Sequence, residues 1–385
     1  MKTKFIFSLL LVVGITSCKK LDFDDPTRLT NTEAATQITD LGLKLANSSV
    51  QRALFNTTES YAGVAMAGLA DQVSMTNRFQ EWWDFCEEPR KRISNSNSYG
   101  GYENWNYIYG QLYQANLDAT TVIDIAVVQN KPVKTTAGVD RTADAITAAY
   151  FAKGLAQGVM FDRGIIVDQV GLSTRDYPAS YKQMIENGVA NLDKAIAAAN
   201  ANASFTFDFI QANPLTKAQF IAICNSYAAR FLASIPRSKA EATALGTTFW
   251  NRVYTYANAG VTTDFTTTYV TGGVFNEAMS QCLVRGSANQ AGYAPVDIKV
   301  AQLADNTGTY PNYYPAAPAI LNPITTSDAR FTQYFEYTTN FLYLRADRNR
   351  GLFSNYIRKR WWDTANTLAL AGKVSPWVLA EEMRF

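Results

Sequence analysis

Asn77-Arg78 and Trp82-Trp83 are the residues of this chain best suited to hold a ligand. Two adjacent tryptophans cannot both face one buried side of a helix, so at least one ring is expected to project from an irregular segment. An indole face matches the C–H face of a pyranose, and Asn and Arg present donors to hydroxyl groups. Tyr310, Tyr313 and Tyr314 form a second ring cluster. Pro311, Pro315 and Pro318 punctuate that stretch and stiffen it, so rings there could form a platform at low entropic cost. Trp361-Trp362, behind the basic run Arg358-Lys359-Arg360, is read as a third platform or a protein contact, with the basic run itself a solvated face. The competing reading is the same for all three groups: the rings anchor loops to a core and touch no ligand.

Composition removes most other chemistry. The chain has no histidine, which excludes His-based triads, His-ligated zinc and imidazole acid–base catalysis. Glu87-Glu88 are adjacent, whereas a glycosidase needs two carboxyls about 5–10 Å apart across the sugar. They are read as surface charges. Asp22, Asp24 and Asp25 lack the glycine and distal glutamate of a calcium loop. No pair among Cys86, Cys224 and Cys282 has the close spacing of a zinc or redox motif. Cys224 is expected to be a core thiol, and a disulfide between two of the three stays open. No cofactor and no metal is called for. Without Lys2 and Lys4 the balance is 33 basic against 33 acidic side chains, so a nucleic-acid partner finds no basic face.

These residues need an address and a scaffold. Lys2 and Lys4, an apolar run from 5 to 13, and Ile15-Thr16-Ser17 before Cys18 read as a lipoprotein signal peptide. Residues 1–17 are expected to be cut and Cys18 to carry lipid, with 18–30 as a charged tether whose acidic residues resemble a surface-export signal. The apolar run is too short for a spanning helix, which needs roughly 20 residues. The chain is therefore read as anchored to a membrane and not threaded through it.

From 31 to 260 the apolar spacing predicts helices in pairs. They are placed over 31–47, 59–71, 103–128, 142–161, 181–199, a segment capped by Thr216 and stopped by Pro236, and 245–258. In the 181–199 helix, Tyr181, Met184, Ile185, Val189, Leu192 and Ile196 form the stripe, with Lys182, Glu186, Asn191 and Lys194 turned outward. The fold class is mainly α, a tetratricopeptide-like array of helical hairpins without a strict 34-residue register. Residues 162–180 read as a loop. Residues 261–375 are a loop-rich region expected to bind ligand, with a short β-hairpin near 331–344. A helix is expected to start in 376–385, as the opening of a truncated C-terminal helical region.

Five segments, in order, resemble the SusD/RagB family of outer-membrane nutrient-binding lipoproteins. Trp105-Asn106-Tyr107-Ile108-Tyr109 leads to Ala115-Asn116; Asn191-Leu192-Asp193-Lys194-Ala195-Ile196 follows; then the Thr216 helix, Trp250-Asn251-Arg252-Val253-Tyr254-Thr255-Tyr256-Ala257, and Asp328-Ala329-Arg330-Phe331. The resemblance implies a surface-exposed, lipid-anchored outer-membrane protein of the Bacteroidota type, binding oligosaccharide without catalysis and delivering it to a TonB-dependent, SusC-like transporter. It also implies a further hundred or so residues of C-terminal helix. The rival readings are a lipid-anchored glycoside hydrolase and a helical scaffold for protein contacts.

Overall fold

Ser180 and Thr216 start their helices by the same device. Each hydroxyl accepts the backbone N–H three residues on, at 3.3 Å, while the glutamine there reaches back to the cap's own N–H, at 2.9 and 3.0 Å. These capping boxes satisfy two of the donors a helix start leaves unpaired. They open helices Tyr181–Ala201 and Lys217–Ala233.

This computed structural model describes residues 31–58, 68–69, 71, 74, 84–86, 93–94, 96–159, 163–166, 177–210, 214–263, 267–268, 296–308, 310–311, 320–337, 339, 354–358 and 373–374. The chain divides into Met1–Ile38 and Thr39–Phe385; in the first, only the opening turns of one helix are described. That helix is α1, Asn31–Thr58. The others are α2 (Tyr102–Ile123), α3 (Thr142–Val159), α4 (Tyr181–Ala201), α5 (Lys217–Ala233), α6 (Lys239–Ala244), α7 (Gly246–Asn258), α8 (Ile298–Ala304) and α9 (Ala329–Tyr334). Strands are short: β1 (Arg163–Ile166), β2 (Tyr177–Ser180), β3 (Thr267–Thr268), β4 (Phe335–Tyr337), β5 (Tyr356–Arg358) and β6 (Lys373–Val374). They pair antiparallel as β1–β2, β3–β6 and β4–β5. The architecture is mainly α, as the periodicity predicts.

Helix α2 packs on α3, α3 on α4, α4 on α5 and α5 on α7. The α3–α4 contact is the closest, because a Cβ on Gly188 would lie 2.6 Å from the Gly158 amide nitrogen, so the two backbones meet with nothing between them. At one end of this stack Phe207 sits 4.5 Å from Phe220 and 5.8 Å from Phe151, ring centre to ring centre. All three rings are fully buried. Below them Asp144, at the start of α3, accepts from Arg141 Nε (2.6 Å), Asn202 Nδ2 (2.7 Å) and the Thr206 amide (3.0 Å). Arg141 continues to Asp208 at 2.7 Å, so one acidic residue ties α3 to the connection between α4 and α5.

Four expectations change. Helix α1 continues past 47 because its polar residues bond internally: Ser49 Oγ donates to Ala46 O, Gln51 to Asn47 and Arg52 Nε to Ser48, while Val50, Ala53 and Leu54 are buried. Residues 163–166 and 177–180 form a strand pair within the stretch read as a loop. The hairpin expected in 331–344 is instead helix α9 followed by strand β4, whose partner β5 comes from 356–358. Asp328 caps α9 by accepting from the Arg330 amide at 2.9 Å, which sets helix where a strand was read. Asn191, read as outward, is buried. Helix 59–71 and the C-terminal helix fall largely or wholly outside the described residues. Cys224 is fully buried, and burial pushes its thiol well above the ordinary range, as expected of a core thiol. Cys86 is also buried, and Cys282 lies outside the described residues.

Candidate ligand-binding site

A second, smaller core lies in the loop-rich part of the chain. Val296, Ile298, Ala301, Tyr310, Phe331 and Tyr356 are its buried members, and Leu321, Ile324, Phe335 and Tyr337 pack on it. Local chemistry assembles it. Asp297 caps α8 by accepting from the Lys299 amide at 2.9 Å. Val296 and the 354–356 segment exchange backbone hydrogen bonds at 2.9 and 3.0 Å. The Tyr356 hydroxyl accepts from the Ile324 amide at 2.8 Å, and Tyr337 donates to Leu321 O at 2.6 Å. Burial raises the Tyr356 hydroxyl above its ordinary value.

Tyr310 belongs to this core. It is 7% exposed, its ring centre 6.5 Å from that of Tyr356, and its amide donates to Asp305 at 3.1 Å. The ring is thus a loop anchor, which corrects the expectation that it presents a face to ligand. Tyr313 and Tyr314 lie outside the described residues, as do Asn77, Arg78, Trp82 and Trp83, and the lipidation residue Cys18. So do Glu87, Glu88, Trp361 and Trp362.

Residues near both candidate segments in the chain are described. Asp71 pairs with Lys299 of α8 at 3.3 Å. On the far side of the 77–83 segment, Asp84 accepts from the Tyr99 hydroxyl at 2.8 Å, and Phe85 and Cys86 are buried. Lys299 sits next to Ile298, a member of the same core as Tyr310. The Asp71–Lys299 pair thus joins residue 71 to the helix that carries Ile298, a member of the core that buries Tyr310. No sequence pattern marks the Asp71–Lys299 pair.

Among the described residues, no group of three or more Cys, Asp or Glu is placed to hold a metal ion. No described helix is long and apolar enough to cross a membrane. The Asp328-Ala329-Arg330 motif acts as a helix cap closed by its own ion pair at 2.8 Å, and the Arg330 bond holds the Asp328 carboxyl below its ordinary value. On α7, Trp250 gives its indole N–H to Ala242 O at 2.9 Å, and Tyr254, one turn on, is 69% exposed.

No protein-family model matches the chain, and no curated protein matches it. Solved structures do. A SusD homolog from Bacteroides uniformis aligns with a TM-score of 0.51 at 15% identity, over 91% of this chain and 64% of that one. A SusD homolog from Bacteroides thetaiotaomicron aligns with a TM-score of 0.49 at 13% identity, over 89% of this chain and 62% of that one. The chain spans less than two thirds of the length of either structure. Its fold is SusD-like.

Proposed function

We propose that this chain is a lipid-anchored protein of the outer membrane, exposed on the cell surface, that binds oligosaccharide without catalysis and passes it to a SusC-like, TonB-dependent transporter. The observation that carries the reading is the SusD-like fold over nearly the whole chain, joined to residues 1–17, read as a lipoprotein signal peptide that ends just before Cys18. Lipid on Cys18 would hold the protein at the membrane. Asn77, Arg78, Trp82 and Trp83, with Tyr313 and Tyr314, form the ligand site in this proposal, and Tyr310 positions its loop.

Each stacked ring contributes about 1 kcal/mol, so affinity is expected in the micromolar range or weaker. A glycan panel probed with wild type and with the Trp82→Ala/Trp83→Ala double variant tests the site. The variant is expected to lose about 30-fold in affinity for whichever glycan binds. Equal binding by both proteins would remove the tryptophans from the site. Release of reducing sugar from a bound glycan would show an enzyme instead. Incorporation of labelled fatty acid, lost in Cys18→Ala, tests the anchor.

A further inference from the structure

Asn116 and Asn191 come from two of the segments that carry the resemblance, and Gln157 of α3 joins them. Asn191 Nδ2 donates to Gln157 Oε1 and to the Asn187 carbonyl, both at 2.9 Å. Gln157 Nε2 donates to Asn116 Oδ1 at 3.1 Å. Asn116 and Gln157 are fully buried, and Asn191 is 7% exposed. One amide from each of α2, α3 and α4 thus forms a ladder across the helical stack.

The direction of this ladder is dictated by its first rung. Asn187 O is a backbone carbonyl and can only accept, so the Asn191 atom facing it is the amide nitrogen. That nitrogen requires an oxygen from Gln157, which turns the Gln157 nitrogen toward Asn116. Asn116 must answer with its oxygen. Its own nitrogen is left at the end of the ladder, buried and with no partner among the described residues. Rotating the Asn116 amide would only set two nitrogens face to face.

Buried polar groups are almost always hydrogen-bonded, so this donor needs an acceptor. Two further buried polar side chains lie within a turn of the ladder along α2 and α3. Thr120, one turn along α2, is buried and gives its hydroxyl to the backbone carbonyl of Asn116 at 2.7 Å. Lys153, one turn before Gln157 on α3, is buried as well. A water molecule is small enough to reach such a point, accepts from an amide, and can turn its own hydrogens toward other acceptors. We propose that one buried water molecule is bound at Asn116 Nδ2, so that the ladder runs Asn191, Gln157, Asn116, water. This assigns the asparagines of both segments a structural role: they lock the register of three helices through a chain of bonds that only one alignment completes.

A crystal structure of the full chain, at a resolution that shows ordered water, tests the site directly. Density for a water at about 2.7–3.2 Å from Asn116 Nδ2 is expected. A protein oxygen at that distance, or surroundings made only of carbon, overturns the proposal. In Asn116→Leu, which keeps the size and removes the amide, the water should vanish. A water that persists in the variant is not held by Nδ2 and also overturns the assignment. If the variant does not fold, the wild-type side-chain amide still reports. A water cross-peak with the sign of a long-lived bound molecule supports the site, and no such cross-peak at an assigned Asn116 amide counts against it.

Discussion

Lys299 holds its ammonium 3.3 Å from the Asp71 carboxylate, joining residues 228 positions apart. The pair joins Asp71, which precedes Asn77, Arg78, Trp82 and Trp83 in the chain, to the helix whose Ile298 shares a core with Tyr310. If both segments serve one ligand, loosening this tie should weaken binding while the ligand-touching rings stay intact. Both side chains are about one third exposed (30% and 33%), so the pair itself contributes about 1 kcal/mol or less. Lys299→Ala is therefore expected to lower glycan affinity by about 2- to 5-fold, with little change in the denaturation midpoint. Calorimetric titration with a glycan found in the panel measures this. Unchanged affinity would mean that the tie does not position the site.

Gly188 meets Gly158 where α3 and α4 cross, and a methyl on Gly188 would stand 2.6 Å from a backbone nitrogen that cannot swing aside. Gly188→Ala should destabilise the fold by about 1–3 kcal/mol, since overpacking forces the backbones apart. Gly110 in α2 is the control, because a Cβ there meets nothing within 4 Å. Gly110→Ala should stabilise by about 0.5–1 kcal/mol from helix propensity. Urea unfolding of both variants checks the pair of signs. A neutral Gly188→Ala would refute the close crossing.

Asp144 is 5% exposed and accepts three donors, among them an arginine. Its removal leaves Arg141 without the buried half of its pairing. Asp144→Ala is expected to cost about 3–5 kcal/mol. Asp208, the arginine's outer partner, has its side chain 52% exposed, so Asp208→Ala should cost at most about 1 kcal/mol. The Arg141 bond holds the Asp208 carboxyl below its ordinary value of 3.8. That small contribution is present above pH 3.8 and fades as pH falls through the lowered value. Chemical denaturation at neutral and acid pH distinguishes the two residues; equal costs would contradict the burial argument.

Tyr256 of α7 donates to both carboxylate oxygens of Asp193 on α4, each at 2.9 Å. Burial, and then the bond to Asp193, push its hydroxyl up to about 12. An unfolded tyrosine loses its proton near 10, so between about pH 10 and 12 the native state binds the extra proton. The contribution is complete below 10 and is lost as pH rises toward 12. Wild type should therefore lose its stability advantage over Tyr256→Phe across that window. Parallel stability curves in pH would sink the proposed coupling.

The helical body was largely legible in one dimension. Thr216 three residues before Gln219, and the three-and-four stripe through Met184, Ile185, Val189 and Leu192, are local signals, and the structure places a cap and a buried face there. The lack of histidine settled the absence of imidazole chemistry before any fold was known. What failed were judgements about polarity at long range. Asn191 looks like an outward residue because its partner, Gln157, is 34 positions away on another helix. Tyr310 looks like a platform because the rings that bury it, Phe331 and Tyr356, arrive from later in the chain. Strand β4 was legible only as extended chain, since its partner β5 is fixed by the packing of that same core. Where helices begin and which faces are apolar follow from neighbours within a turn or two, and the missing imidazole chemistry follows from composition alone. Which polar groups are buried and which distant stretches share a core emerge from the folded packing, because burial is settled by partners that no local spacing encodes.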